Sequence, residues 1–376
     1  MLLVVVVAAI VIRSTVADPD TASDGGPATD ETDGWVSEVA PTGRLLAVGD
    51  GTVCSTSTTD VHCLDATTGE ERLTIPIDKG LPTSPVLLDD RLLVGTSTGV
   101  GGGLFAYARD DGEELWDVAL SVDAERELPV VDGVVTVTDG RQLVGVDVAS
   151  GDRRWEDYTS DGREDPHVSG RDVFTDGTRV YTAIELLDPG AGDASGHIVA
   201  VDPGTGAEIW RSPVLGDVGF GSGVVAAAPF DDGSAVAFLM EGYPGRVLVL
   251  DAATGQLRWE VDLTSDHVSV VHLDGSTIVA DGPTTRAYDG DGGQVWEVAS
   301  PVIERNPDLI GPGELVVARG RLFVAGYDVV ELDPATGGAD PIRKGVSATD
   351  VAIVGDRLII AEMRGIVARS LSKIGD

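Results

Sequence analysis

After residue 20 the apolar positions fall into short alternating runs, with no sustained period of 3.6 residues that would mark a helix. RVLVL (246–250) and HIVAV (197–201) are examples of the alternation. Runs this short, bounded by glycine, proline and aspartate, predict β-strands that pack on their faces. Between many of them stand Asp-Gly pairs: Asp132-Gly133, Asp176-Gly177, Asp232-Gly233 and Asp274-Gly275. Such pairs predict tight hairpins with both central residues at positive φ.

The runs are organised by a repeat of an apolar residue, Asp, a turn ending in Gly, and then Trp. It reads VDVASGDRRW (146–155), VDPGTGAEIW (201–210) and LDAATGQLRW (250–259), with looser copies YARDDGEELW (107–116) and YDGDGGQVW (288–296). LDATTGEERL (64–73) and LDPATGGADP (332–341) keep the turn and lose the Trp. Each unit supplies about four strands in roughly 40 residues, the size of one propeller blade.

Seven turn motifs suggest seven blades, but ATDVAIVGD, RLIIAEM and GIVARSL (348–371) add three strands that lack a fourth. GWVSEVA (34–40) looks like the Trp-bearing strands WEVAS and WEVDL and can supply it. The expected fold is therefore all-β: an eight-bladed β-propeller of four-stranded antiparallel blades, the last closed by the N-terminal strand. A seven-bladed ring is the alternative. With eight blades, all six tryptophans fall at one equivalent position: Trp35, Trp116, Trp155, Trp210, Trp259 and Trp296. A flat ring there fills the wedge between neighbouring blades, and its N–H needs an acceptor on the adjoining turn. These six are read as structural docking residues.

The D-x-x-T-G-x-x-x-W unit resembles the tryptophan-docking repeat of the quinoprotein-type, or PQQ-like, propeller family, over about Gly34 to Leu371. That resemblance implies the propeller fold. For function it implies one of two things. The family holds dehydrogenases that use pyrroloquinoline quinone, and it holds non-catalytic scaffolds, among them the B-subunit lipoprotein of the outer-membrane β-barrel assembly machinery. The dehydrogenases carry a vicinal Cys-Cys ring, a catalytic Asp and a calcium site with Glu and Asn ligands. Here no cysteines are adjacent, and the sole asparagine, Asn306, precedes Pro307.

Charge narrows the partners. A formal net charge of -37 repels phosphate backbones, which disfavours nucleic acid and anionic lipid. The N-terminal MLLVVVVAAIVI is short for a bilayer span, and it leads into a polar Gly/Pro/Thr/Asp stretch. Residues 1–17 are read as a signal peptide with Thr15-Val16-Ala17 as its cleavage site, or as a membrane anchor through residues 2–12. Residues 18–33 are read as a linker, 34–371 as the propeller and 372–376 as a tail. The expected location is membrane-anchored facing outside, or secreted.

Cys54 and Cys63 lie in TVCSTSTTDVHCL. A turn on Thr58-Thr59 makes them a non-hydrogen-bonded cross-strand pair, with Cα atoms about 4.5 Å apart, and export favours a structural disulfide. A metal site through Cys54, His62 and Cys63 is the weaker reading, because adjacent strand residues face opposite ways. His62, His167, His197, His267 and His272 show no metal-ligand spacing. DGDGG (289–293) opens like a calcium loop but has Ser300 at the twelfth position, and it matches the Asp-to-Gly turns of the other repeats. GVGGG (99–103) and GFGSG (219–223) open no helix and lack the Gly-Lys-Ser/Thr ending of a phosphate loop.

No catalytic residues, cofactor or metal are expected. The reading is a non-catalytic extracytoplasmic scaffold or binding module with a protein partner in the cell envelope, engaged through the insertions Tyr158–Gly170 and Leu186–Gly196. The alternatives are a PQQ-dependent dehydrogenase or other propeller enzyme, and an envelope sensor or ligand-binding module.

Overall fold

A computed structural model of the chain describes residues 34–37, 46–83, 85–97, 102–120, 128–139, 142–156, 165–168, 173–187, 194–213, 224–240, 245–265, 268–299, 314–326, 328–343, 348–362 and 365–371. The leader and linker read in residues 1–33 and the tail at 372–376 lie outside these, as do His267, Asn306 and Gly219–Gly223. Residues 34–376 form one unit.

That unit is an eight-bladed β-propeller, and every blade is an antiparallel sheet. Blade 1 is built from Ala47–Gly49, Thr52–Thr56, Asp60–Asp65 and Glu71–Pro76. Blade 5, the most regular, comprises Val224–Pro229, Ala235–Met240, Arg246–Asp251 and Leu257–Asp262. Blades 2, 3, 4, 6 and 7 span 81–120, 130–156, 165–211, 268–299 and 314–343. Blade 8 takes Ala348–Val354, Arg357–Glu362 and Gly365–Ser370 from the C-terminal end and its outer strand, Trp35–Ser37, from the N-terminal end. Trp35 pairs with Ala368, Val36 with Val367 and Ser37 with Ile366. The two ends of the chain thus close one sheet, and the seven-bladed alternative falls away.

Strand alternation explains why such sheets stack radially. In blade 5, Val236, Phe238, Leu248 and Leu250 pack on blade 4, while Ala235, Ala237, Leu239, Val247 and Val249 pack on blade 6. The same split recurs, so the eight hydrophobic clusters among the described residues each fill one joint between neighbouring blades. At the closure, the Leu46 backbone N–H also donates to Asp350 Oδ2 of blade 8 at 2.7 Å.

Two local expectations change. Asp132 and Asp274 take positive φ, 48° and 52°, with their glycines, but at Asp176-Gly177 and Asp232-Gly233 only the glycine does. The reason is side-chain capture. Asp176 Oδ1 accepts the N–H of Thr178 and Arg179 at 2.8 and 2.7 Å, which fixes an Asx turn instead. The Phe230–Ala235 connection is a longer loop, closed by Gly233 N–H to Phe230 O at 2.8 Å. The second change is in blade 4, where much of the two expected insertions is strand. Asp165–Val168 pairs with Val180–Leu187, which pairs with Ala194–Val201 out to Leu187 opposite Ala194. The remainder, 158–164, 169–170 and 188–193, lies outside the described residues.

Candidate functional site

The repeat motif builds one device six times. In its clearest copy Asp251 Oδ1 accepts the backbone N–H of Ala253 at 3.1 Å and of Thr254 at 3.0 Å, and the Thr254 hydroxyl at 2.9 Å. The turn closes with Gly255 N–H to Asp251 O at 2.8 Å. Gly255 sits at φ +69°, a conformation side chains resist, and a Cβ there would strike the Trp210 ring. Glycine therefore serves both the turn and the indole lying on it.

Trp210 comes from the blade before and donates its indole N–H to Ala252 O at 2.9 Å. The other five do the same, always to the residue after the turn's first position. Trp35 donates to Ala66 O, Trp116 to Val148 O, Trp155 to Pro203 O, Trp259 to Gly290 O and Trp296 to Pro334 O, at 2.8–3.1 Å. Trp35 is the copy that bonds the closing strand of blade 8 to blade 1. The six indoles lie at six different joints and do not meet.

Electrostatics reinforce the turns. Arg258 donates to Asp251 Oδ2 at 2.8 Å, and this bond, followed by that of the Thr254 hydroxyl, holds the Asp251 carboxyl down at about 2. Arg154 lowers Asp147 in the same way. Asp65 is lowered chiefly by the Thr68 N–H, and it also pairs with Arg72. Asp289 Oδ1 accepts the N–H of Asp291 at 3.0 Å and of Gly293 at 2.7 Å, so its carboxylate serves the turn.

Cys54 and Cys63 are opposite in register and joined by a disulfide, with Cα atoms 4.0 Å apart. His62 faces away from them, toward Glu71 at 3.0 Å. His197 donates Nδ1–H to Ser212 O at 2.8 Å, and His272 stacks on Phe230 with ring centroids 3.8 Å apart. Burial holds the His272 imidazole below its usual range. Strand Asp165–Val168 carries His167, and strand Gly102–Ala108 holds Gly102 and Gly103.

Several cross-joint residues carry no motif and escaped the sequence. Arg91 donates to Val148 O at 2.7 Å across joint 2–3, and Arg319 to Gly355 O at 2.7 Å across joint 7–8. Asp281, fully buried, accepts from Arg286 at 2.6 Å and from the Thr264 and Ser265 N–H groups at 2.9 Å. The alternation of polar and apolar residues carries no trace of these pairings.

The vicinal Cys-Cys ring of the dehydrogenases has no counterpart here, since Cys54 and Cys63 stand nine residues apart. The two cysteines are spent on a cross-strand bond inside a joint. Among the described residues, no group of three or more His, Cys, Asp or Glu converges to hold a metal ion.

Eight antiparallel blades, six of their joints locked by an indole lying on a turn glycine, define a PQQ-like repeat propeller. The profile of the family described as outer membrane protein assembly factor BamB matches residues 27–183 and 194–369, and the chain belongs to that family. Outer membrane protein assembly factor BamB of Burkholderia pseudomallei (strain K96243) is 26% identical over 298 residues, covering 74% of this chain and 72% of that protein. The crystal structure of BamB from Moraxella catarrhalis superposes with a TM-score of 0.64 at 17% identity, covering 89% of this chain and 99% of the other. Quinohemoprotein alcohol dehydrogenase from Comamonas testosteroni shares the fold at a TM-score of 0.61 and 14% identity, covering 90% of this chain and 76% of the other.

Proposed function

We propose that the chain is a non-catalytic extracytoplasmic propeller that binds a protein partner of the cell envelope. In this reading it is held at the membrane through residues 2–12 or released by cleavage after Ala17. The observation that carries the proposal is the use made of the repeat signature. The six docking tryptophans, the turn aspartates with hydrogen-bond partners and both cysteines are engaged within the fold. These side chains are thereby consumed by ring construction, and the reading assigns binding to the connections between strands, as on other rigid scaffolds. Relatives named as outer membrane protein assembly factors support the envelope setting.

The insertions Tyr158–Gly170 and Leu186–Gly196 of blade 4 are the proposed contact. A photo-activated crosslinker placed there in the full chain, expressed in its own envelope, should capture one recurrent envelope protein. The same probe at the Asp274-Gly275 hairpin of blade 6 should not. Equal capture from both positions, or none from blade 4, refutes the assignment.

The likeness to the quinohemoprotein alcohol dehydrogenase favours a second reading, PQQ-dependent oxidation. Titration of the full chain with pyrroloquinoline quinone and calcium tests it. A saturable change in quinone absorbance would support that reading against the scaffold.

A further inference from the structure

Seven turns of the ring receive a side chain from the preceding blade, and at one of them that side chain is not an indole. Leu73 lies eight residues beyond Asp65, as Trp210 lies eight beyond Asp202. It packs with Ile75 beneath Gly112, whose Cβ position lies 3.0 Å from Leu73 and 3.2 Å from Ile75. Leucine has no N–H, so joint 1–2 lacks the cross-joint bond made at the six indole joints. The receiving turn departs too, with Ala108 standing where the other turns have Asp. Arg109 instead reaches back to blade 1, donating to Gly49 O at 3.1 Å and to Asp50 at 3.2 Å.

The disulfide faces this same joint. Alternation sends Val53 and Leu64 toward blade 8, and sends Cys54 and Cys63 toward blade 2. There the two sulfurs pack in a cluster with Leu92, Val94, Phe105 and Tyr107, Cys54 wholly buried and Cys63 4% exposed.

We propose that the Cys54–Cys63 disulfide is a redox latch for the joint between blades 1 and 2. In the closing step the two thiols lose two protons and two electrons as the S–S bond forms. An oxidant disulfide accepts them and is reduced to two thiols. Oxidation fixes the register and spacing of the two blade 1 strands that present Cys54 and Cys63 to Phe105 and Tyr107. Reduction leaves that face to the strand ladder alone, at a joint with no indole behind it. Blade 1 also carries Ala66, the acceptor for Trp35, so loosening it weakens the footing of the closing strand. Resting on the extracytoplasmic reading, the latch would complete the ring after export, in an oxidising compartment.

Hydrogen exchange on the full chain tests this, with oxidised protein compared against protein reduced by a phosphine and its thiols counted by intact mass. Reduction should speed amide exchange roughly tenfold or more in peptides covering 71–77 and 104–109, and less than about twofold in 246–263 at joint 5–6. The double variant Cys54→Ala/Cys63→Ala should match the reduced protein. Adding Leu73→Trp, which offers an N–H to Arg109 O, should restore protection. Equal acceleration at both joints, no acceleration at either, or no rescue by Leu73→Trp would overturn the latch. The reduced wild-type chain gives the answer if the double variant does not fold. A chain found to act in a reducing compartment would remove the export timing while the local exchange result still decides the latch.

Discussion

Replacing Trp210 by Phe tests the value of one indole N–H, and the same replacement at Trp259 serves as its control. Trp210 is 7% exposed, touches Tyr181 at a centroid distance of 5.8 Å, and makes its 2.9 Å bond to Ala252 O away from water. Trp259 makes the equivalent 3.1 Å bond to Gly290 O in an exposed position. Both variants lose the same ring volume, and the more buried Trp210 site loses more packing with it, a cost of the same sign as the hydrogen-bond difference. To that is added the hydrogen bond and the fate of its acceptor. A buried carbonyl left without a partner costs about 1–3 kcal/mol, whereas an exposed one recovers a bond from water. Trp210→Phe should therefore be less stable than Trp259→Phe by about 1–2 kcal/mol. Urea unfolding followed by circular dichroism and by fluorescence measures the difference, provided that the two probes give coincident transitions. Equal midpoints for the two variants, or a lower one for Trp259→Phe, would refute the account of the joints.

Gly255→Ala should destabilise more than Gly233→Ala, although both residues have positive φ, +69° and +66°. Only at Gly255 does the new methyl strike an indole, and thermal unfolding of the pair separates clash from backbone strain. Below neutrality, the Asp251 carboxyl, held at about 2 against an unfolded value of about 3.9, contributes stability that is present above the unfolded value and lost as pH falls toward 2. In Asp251→Asn that loss should shrink between about pH 4 and 2, as read by Tm against pH. Deleting residues 1–37 should lower the midpoint and expose the edge of Gly365–Ser370 to self-association, seen as concentration-dependent light scattering. A monomer of unchanged stability would contradict closure by that strand.

The blade count was legible because six tryptophans share one motif position, and because Gly34–Ala40 matched the outer strands of other blades. The disulfide was legible from hairpin register taken together with the expectation of export. Joint 1–2 was not. Leu73 and Ala108 look like simple motif decay, and only the facing of Cys54 and Cys63 shows that a different bond sits where the indole is missing. The arginine bridges were hidden for a related reason. Arg91, Arg109 and Arg319 act on backbone carbonyls or hairpin tips of a neighbouring blade, and such acceptors carry no sequence signature. The two Asp-Gly hairpins that kept Asp out of positive φ depended on Thr178 and on a longer loop around Asp231, details finer than the dipeptide.

The placement of Trp35–Ser37 also has a mechanical consequence. Whatever lies before Gly34 is joined covalently to the shortest strand that completes a blade, three residues on the outer rim. A pull arriving along the chain from residue 33 would peel its few ladder bonds in sequence and would reach the Trp35–Ala66 contact almost at once. The preceding segment and the clasp are one piece of chain, so tension on the first is felt directly by the second.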